Sequence, residues 1–117
     1  MKITDTYEWV FFDGEHVKLG ITEKAQKEIG EIVHVHFPKI GDVFQQGSPI
    51  LVLESTKSAI DTYAPISGEV IEINPLFAHT TDHLNTDPEG KGWILLIKPH
   101  AISQYHDLEE YSFQKKP

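Results

Sequence analysis

Short apolar segments separated by turn-forming residues recur along most of this chain of 117 residues. Each segment has the length of a β-strand, and glycine, proline, asparagine or aspartate stand between most of them. Asp13-Gly14, between the first two segments, predicts a hairpin turn. Such a pattern indicates a mostly β fold, with strands predicted at 8–12, 16–21, 32–37, 50–53, 59–63, 70–73 and 93–97.

Helical signals are confined to three places. Thr22 can cap a short helix over residues 23–29, which Gly30 would end. Apolar residues at helical spacing predict a C-terminal amphipathic helix over about 102–113. Residues 74–92 are predicted to be irregular, with one helical turn near 79–84.

An internal similarity suggests how the strands are arranged. Gly30–Val35 resembles Gly68–Ile73, and Ile50–Glu54 resembles Ile94–Lys98, in the same order. Two such half-motifs would pack as a flattened sandwich of two sheets. The other interpretation is chance similarity, because β-strands draw on few residue types.

Composition bounds the class of protein. No break in composition divides the chain, so residues 1–117 are expected to form one domain. The net charge is -8 and all ten basic residues are lysines, which is atypical of nucleic-acid binders. Cysteine is absent, so disulfides and thiolate sites are excluded.

The first residues lack signal-peptide features. We therefore expect a cytoplasmic protein, or a mitochondrial matrix protein only if a presequence was removed.

The most distinctive local feature is the polar run that separates the strands 50–53 and 59–63. It reads Glu54-Ser55-Thr56-Lys57-Ser58 and stands where a hairpin turn is expected. A lysine at such a tip is exposed on a rigid support, with small neighbours that another enzyme can enclose. This arrangement suits acylation of Lys57 by an external ligase. The simpler interpretation is a lysine that happens to lie on a turn.

From Glu54 to Asp61 the chain resembles the glycine cleavage H-protein family. In that family the lipoyl lysine follows Glu-Ser-Val and precedes small residues and an aspartate. The resemblance covers about residues 5–111. Further matching segments, agreeing in order and spacing, are Tyr7–Val10, Leu19–Thr22, Gly30–Val33, Gly41-Asp42, Pro65–Asn74, Leu84-Asn85, Asp87-Pro88, Gly92-Trp93 and Ile97–Pro99.

The resemblance implies a mostly β barrel-sandwich hybrid of the lipoyl/biotinyl-domain type. Lipoate would be amide-linked to Lys57, within a motif formed by Glu54, Ser55, Thr56, Ser58 and Asp61. The lipoyl arm would take an aminomethyl group from glycine at glycine decarboxylase, the P-protein. The aminomethyltransferase, or T-protein, would pass the carbon unit to tetrahydrofolate. The dihydrolipoyl dehydrogenase, or L-protein, would reoxidise the arm.

The family also implies a non-catalytic role, as a carrier that is loaded by a lipoate ligase or lipoyltransferase. In the family the loaded arm folds back to a cleft near the N-terminal strand. Thr6, Glu8 and Asp61 are the matching positions, where a carboxylate could pair with the aminomethyl ammonium. The other interpretation of Glu8 and Asp61 is that they are solvated acids.

Several positions depart from the family pattern and leave the biological setting open. Tyr7 replaces a histidine, Thr56 a valine, Ser58 an alanine, and Ile60 a small residue. One alternative is an H-like lipoyl donor that serves other lipoate-dependent enzymes or protein modification. A biotinyl carrier is a weaker alternative, because biotin ligases favour methionine beside the lysine and Met1 is the sole methionine.

Metal binding is a further alternative from a different class. His34 and His36 share one face of a predicted strand, while His79 and His83 have the spacing of one helix face. Either pair could ligate zinc or nickel. A third ligand is not evident from the sequence, so no metal site is predicted. Catalytic residues are not predicted either, because no nucleophile stands in a motif with a matching base.

Overall fold

The computed structural model describes residues 1–112, and within them ten strands alternate with three short α-helices and one 3-10 helix. The strands are β1 Lys2–Ile3, β2 Glu8–Phe12, β3 Val17–Ile21, β4 Ile32–His36, β5 Val43–Phe44, β6 Pro49–Ser55, β7 Ala59–Tyr63, β8 Gly68–Ile73, β9 Leu95–Pro99 and β10 Glu109–Glu110. The helices are α1 Glu23–Ile29, the 3-10 helix Pro75–Ala78, α2 Asp82–Thr86 and α3 Ser103–His106.

Two antiparallel sheets form the fold. The larger has seven strands in the order β10-β1-β2-β3-β9-β8-β5, and the smaller has three in the order β4-β6-β7. Their inner faces share one apolar core, to which Leu19, Ile97, Val35 and Leu53 contribute fully or almost fully buried side chains. The predicted barrel-sandwich hybrid is confirmed. Within residues 1–112 no helix is long and apolar enough to cross a membrane.

The internal similarity corresponds to similar strand pairing. β4 pairs with β6 and β8 pairs with β9, both antiparallel. The register of each pair shifts at Val33 and at Ile71, which are equivalent residues of the two half-motifs. The two segments therefore share a bulge as well as a sequence pattern.

The first hairpin forms as predicted. The Asp13 carboxylate accepts hydrogen bonds from the backbone N–H groups of Glu15 and His16, both at 2.8 Å, which fixes the loop between β2 and β3. Trp9 pairs with Gly20 across the hairpin. A Cβ atom at Gly20 would lie 2.5 Å from the Trp9 ring, so only glycine fits under this buried indole.

Helix α1 also has the predicted bounds. The Thr22 hydroxyl accepts a hydrogen bond from the backbone N–H of Ala25 at 3.1 Å, and Gly30 ends the helix with a φ of 93°. A positive φ of this size favours glycine over residues with a side chain. Capping and C-terminal glycine signals therefore sufficed to predict this element.

The extent of the C-terminal helix was wrong. Helix α3 covers only Ser103–His106, and residues 109–110 form strand β10 instead. β10 pairs with β1, and the Lys2 Nζ lies 2.7 Å from a carboxylate oxygen of Glu110. Pairing with the otherwise open edge of β1 stabilises the extended conformation over a continued helix. Residue 113 of the predicted helix lies outside the described residues.

The irregular stretch 74–92 contains more order than predicted. The Asn74 side chain accepts a hydrogen bond from the Leu76 N–H and donates to the carbonyls of Lys91 and Trp93, at 2.7–3.0 Å. Helix α2 begins at Asp82, whereas His79 follows the 3-10 helix. The predicted turn near 79–84 is therefore displaced, and His79 and His83 do not share one helix face.

Candidate functional site

Lys57 lies at the exposed turn between β6 and β7, as the sequence predicted. Its neighbours Thr56, Ser58 and Ala59 are small and also exposed. We name the segment Ser55–Ser58 the lysine turn.

The Ser55 hydroxyl organises the lysine turn. It accepts hydrogen bonds from the backbone N–H groups of Lys57 and Ser58, both at 3.1 Å. The Ser55 N–H donates to the Ser58 carbonyl at 2.8 Å and closes the turn. Serine favours turns through such local bonds. The backbone of Lys57 is thus fixed while its side chain projects outward.

A second anchor holds the lysine turn from below. The Thr56 N–H donates to the Glu31 carbonyl at 3.2 Å, immediately before β4. The Asn85 amide accepts from the Ile32 N–H at 2.8 Å and donates to the Ile32 carbonyl at 2.9 Å. Helix α2 therefore fastens the start of β4, against which the turn rests. No spacing signal identified Asn85, because its partner lies 53 residues away in sequence.

The lysine turn connects along β7 to a cleft near the N-terminus. Alternate strand residues share a face, so Asp61 and Tyr63 follow Ala59 on the exposed face of the small sheet. Tyr63 lines the cleft at the far end of β7. Asp61 is exposed and pairs with Val52, and it is not among the residues that line the cleft.

The cleft has a cavity volume of about 530 Å³. Its lining combines the chain start with the ends of β7 and the α3–β10 segment: Ile3, Thr4, Thr6, Glu8, Tyr63 and Leu108. We name it the N-terminal cleft. Two of the predicted arm-docking residues, Thr6 and Glu8, lie here, whereas Asp61 stands between the cleft and Lys57 along the strand.

Glu8 contributes a buried carboxyl group to this cleft, with only 3% of its surface exposed. The hydroxyls of Thr4 and Thr6 both donate to its Oε1, the latter at 2.6 Å. Burial raises the pKa of the Glu8 carboxyl above its ordinary value, and these hydrogen bonds oppose the rise in part. The sequence reasoning missed Thr4, whose spacing from Glu8 gave no separate signal.

A strained residue shapes the same cleft. Tyr7 has a φ of 65°, in the left-handed region that residues with a side chain rarely adopt. Its N–H donates to the Thr4 carbonyl and its carbonyl accepts from the Thr22 N–H. This sharp turn brings the hydroxyls of Thr4 and Thr6 to the same carboxylate oxygen of Glu8. A left-handed backbone conformation like that of Tyr7 is a strain often found at functional sites.

The fold is a barrel-sandwich hybrid, the fold class of lipoyl and biotinyl domains. Comparison with known proteins narrows this class. The chain matches the glycine cleavage H-protein family over residues 1–116. It is 41% identical over 111 residues to a glycine cleavage system H protein of Methylacidiphilum infernorum, with 92% of this chain and 87% of the relative covered.

Further relatives agree. A glycine cleavage system H protein of Thermus thermophilus is 40% identical over 105 residues, covering 90% of this chain and 82% of the relative. The crystal structure of a glycine cleavage system H protein from Mycobacterium marinum superposes with a TM-score of 0.79 at 32% identity, covering 86% of this chain and 84% of that one. This chain therefore belongs to the glycine cleavage H-protein family.

Proposed function

We propose that this chain is the lipoyl carrier of a glycine cleavage system and that Lys57 is its attachment residue. The observation that carries the proposal is the position of Lys57 at the tip of an ordered, exposed hairpin, in a chain of this family. The flanking motif Glu54–Asp61 is the part of the sequence that resembles the family's attachment site.

The lysine turn fits an amide-linked lipoyl group. The acceptor amine must enter the active site of a ligase, and the exposed neighbours Thr56, Ser58 and Ala59 leave room for an enclosing pocket. Four hydrogen bonds at Ser55 hold the turn, so the amine is presented from a fixed backbone. When bound, lipoate would supply a disulfide that opens as it takes up the aminomethyl group left by decarboxylation of glycine; passage of the carbon to a folate would release the nitrogen as ammonia and leave a dithiol for reoxidation.

The N-terminal cleft supports transport of a cationic group. Glu8 offers a carboxylate held by two hydroxyl donors, in surroundings where its ionised form is costly. An ammonium entering the cleft favours that ionised form and forms a charge-assisted hydrogen bond. Asp61, exposed on β7 between Lys57 and the cleft, would offer a second negative charge along the way.

The proposed role is that of a carrier subunit and not of a catalyst. Glycine decarboxylase, the aminomethyltransferase and dihydrolipoyl dehydrogenase would each receive the arm in turn, and a lipoate ligase or lipoyltransferase would attach it. The net charge of -8 would steer this chain toward basic docking surfaces on such partners.

Glycine-dependent exchange of labelled carbon dioxide tests the function. The lipoylated chain is expected to support exchange with a bacterial glycine decarboxylase, and the Lys57→Arg variant is expected to give none. Full lipoylation without exchange would contradict the glycine cleavage role and favour a lipoyl donor for other enzymes.

A further inference from the structure

Three potential metal ligands converge on the exposed face of the small sheet. His34 and His36 alternate along β4, so their rings project from the same face. Glu54 lies opposite His34 on the neighbouring strand β6. The ligand atoms of these three residues all lie within 4.8 Å of one another. The sequence offered the two histidines, and the strand register supplies the third group.

Contacts already link the three side chains. The His36 Nε2 lies 2.6 Å from the Glu54 Oε1, and the rings of His34 and His36 stand edge to face with centroids 4.6 Å apart. Beneath them Val35 and Leu53 are buried in the core, which fixes the backbone of both strands. The cluster is therefore built on rigid elements, while its side chains remain accessible at 55% exposure for His36 and 42% for Glu54.

We propose that His34, His36 and Glu54 bind one divalent cation of the zinc class. Zn²⁺ is a borderline-soft ion that binds both imidazole nitrogen and carboxylate oxygen, and three protein ligands leave one position of a tetrahedral ion for water or an outside ligand. Magnesium and calcium prefer sites made of oxygen ligands and fit this set poorly.

Modest side-chain rotation completes the geometry. Bonds of about 2.0–2.1 Å in a tetrahedron separate ligand atoms by roughly 3.4 Å. The His36–Glu54 pair must open from 2.6 Å, and the widest pair must close from at most 4.8 Å. Exposed side chains change rotamer readily, so no movement of the strands is required.

Charge favours a cation at this place. Asp61 lies on the same exposed face, because Val52 pairs with both His36 and Asp61 in the ladder. The chain as a whole carries a net charge of -8. The ion would replace the hydrogen bond between His36 and Glu54 without leaving an unpaired buried group, since both residues face solvent.

Glu54 lies three residues before Lys57. The metal-site proposal nevertheless does not rest on the proposed function as a lipoyl carrier. All three ligands belong to this chain and need no cofactor. A dithiol carried by Lys57 would itself bind zinc, so the test uses the full chain with Lys57→Arg. Failure of lipoylation and failure of metal binding are then measured separately.

The test is calorimetric titration of the chelator-treated Lys57→Arg chain with Zn²⁺. One ion per chain is expected to bind, and a further His34→Gln/His36→Gln pair or Glu54→Gln is expected to weaken binding by about tenfold or more, the loss that even an outer partner of a ligand causes. His79→Gln/His83→Gln removes two histidines elsewhere and should leave binding unchanged. Absence of binding, or loss of binding only in this control, would overturn the proposal.

Cobalt provides a second readout, and the thermal unfolding temperature of each variant separates loss of the ligands from a folding defect. Co²⁺ added to the Lys57→Arg chain is expected to give the visible absorption bands of a tetrahedral site, and excess Zn²⁺ should remove them. The His34→Gln/His36→Gln chain should lack the bands while keeping its thermal unfolding temperature. Bands of equal intensity in that variant would contradict the assignment of the ligands.

Discussion

The lysine turn and the N-terminal cleft handle charge in opposite ways. At the turn, the side chain of Lys57 is exposed, and the hydrogen bonds are made by the backbone N–H groups around it. In the cleft, Glu8 is 97% shielded and the hydrogen bonds go to the charged group itself. Burial in the cleft raises the pKa of the Glu8 carboxyl above its ordinary value.

This difference matches two separate tasks. A residue that another enzyme modifies needs access and a fixed position, which backbone hydrogen bonds supply. A residue that holds a cationic cargo needs a carboxylate in a sheltered place, where an ion pair is less screened than at the surface. Breaking one region should therefore leave the other intact, and the following variants separate them.

The largest stability effect is expected from Asn85→Ala, which removes the anchor beneath the lysine turn. The change leaves the Ile32 N–H without its partner, and losing such bonds costs about 2 kcal/mol of unfolding free energy. Loosening of the Glu31–Thr56 contact should also slow lipoylation of Lys57 several-fold. Denaturant unfolding and a ligase time course measure the two effects.

Thr86→Ala on the same helix is the matched control for Asn85→Ala. The Thr86 hydroxyl bonds only the Asp82 carbonyl within the described residues, so a change within about 0.5 kcal/mol is expected. Equal destabilisation by both variants would contradict the anchoring role of Asn85.

Ser55→Ala is expected to have an intermediate effect, at the lysine turn itself. Two backbone N–H groups lose their acceptor but gain solvent access, so the loss should be about 1 kcal/mol. Lipoylation should slow while the pH dependence of stability stays unchanged. Ser58→Ala serves as control, because in residues 1–112 Ser58 joins the turn through its backbone alone. A lipoylation rate lower in Ser58→Ala than in Ser55→Ala would argue against this account.

Glu8→Gln should change the pH dependence of the free energy of unfolding. The folded Glu8 holds its proton more tightly than the unfolded carboxyl, whose pKa is 4.5, so its contribution to stability falls as pH rises through the raised folded pKa. The glutamine variant lacks this fall and should therefore become more stable relative to the original chain between acidic and neutral pH. Unfolding at several pH values, with Glu31→Gln as an exposed control, measures it. A parallel pH dependence of stability in the original chain and the Glu8→Gln variant would contradict the raised pKa of the Glu8 carboxyl.

Asp61→Asn should have the smallest effect. Its side chain is exposed, so the free energy of unfolding should change by less than about 0.5 kcal/mol. If Asp61 guides the aminomethyl group toward the cleft, the loaded arm of the Asp61→Asn variant should leave the cleft faster than that of the original chain at low salt, and no faster at high salt. Equal rates for the two chains at both salt concentrations would show that Asp61 is a solvated acid.

The sequence predicted the elements that depend on local signals. Thr22 and Gly30 marked the ends of α1, and the polar run around Lys57 marked the hairpin tip. Long-range pairing escaped prediction: residues 109–110 became a strand because β1 offers an open edge more than 100 positions away in sequence. Asn85 and Thr4 acquire their roles only when distant or sharply turned backbone approaches them, and the contact between Glu54 and the histidines depends on strand register.

Intact mass spectrometry after incubation with a lipoate ligase, lipoate and ATP tests the central claim most directly, with a biotin ligase reaction in parallel. A single lipoyl mass increment that maps to Lys57 is predicted, with none in the Lys57→Arg chain and none from biotin ligase. Lipoylation of the Lys57→Arg chain, or an increment from biotin ligase alone, would contradict the assignment of this hairpin as a lipoyl attachment site.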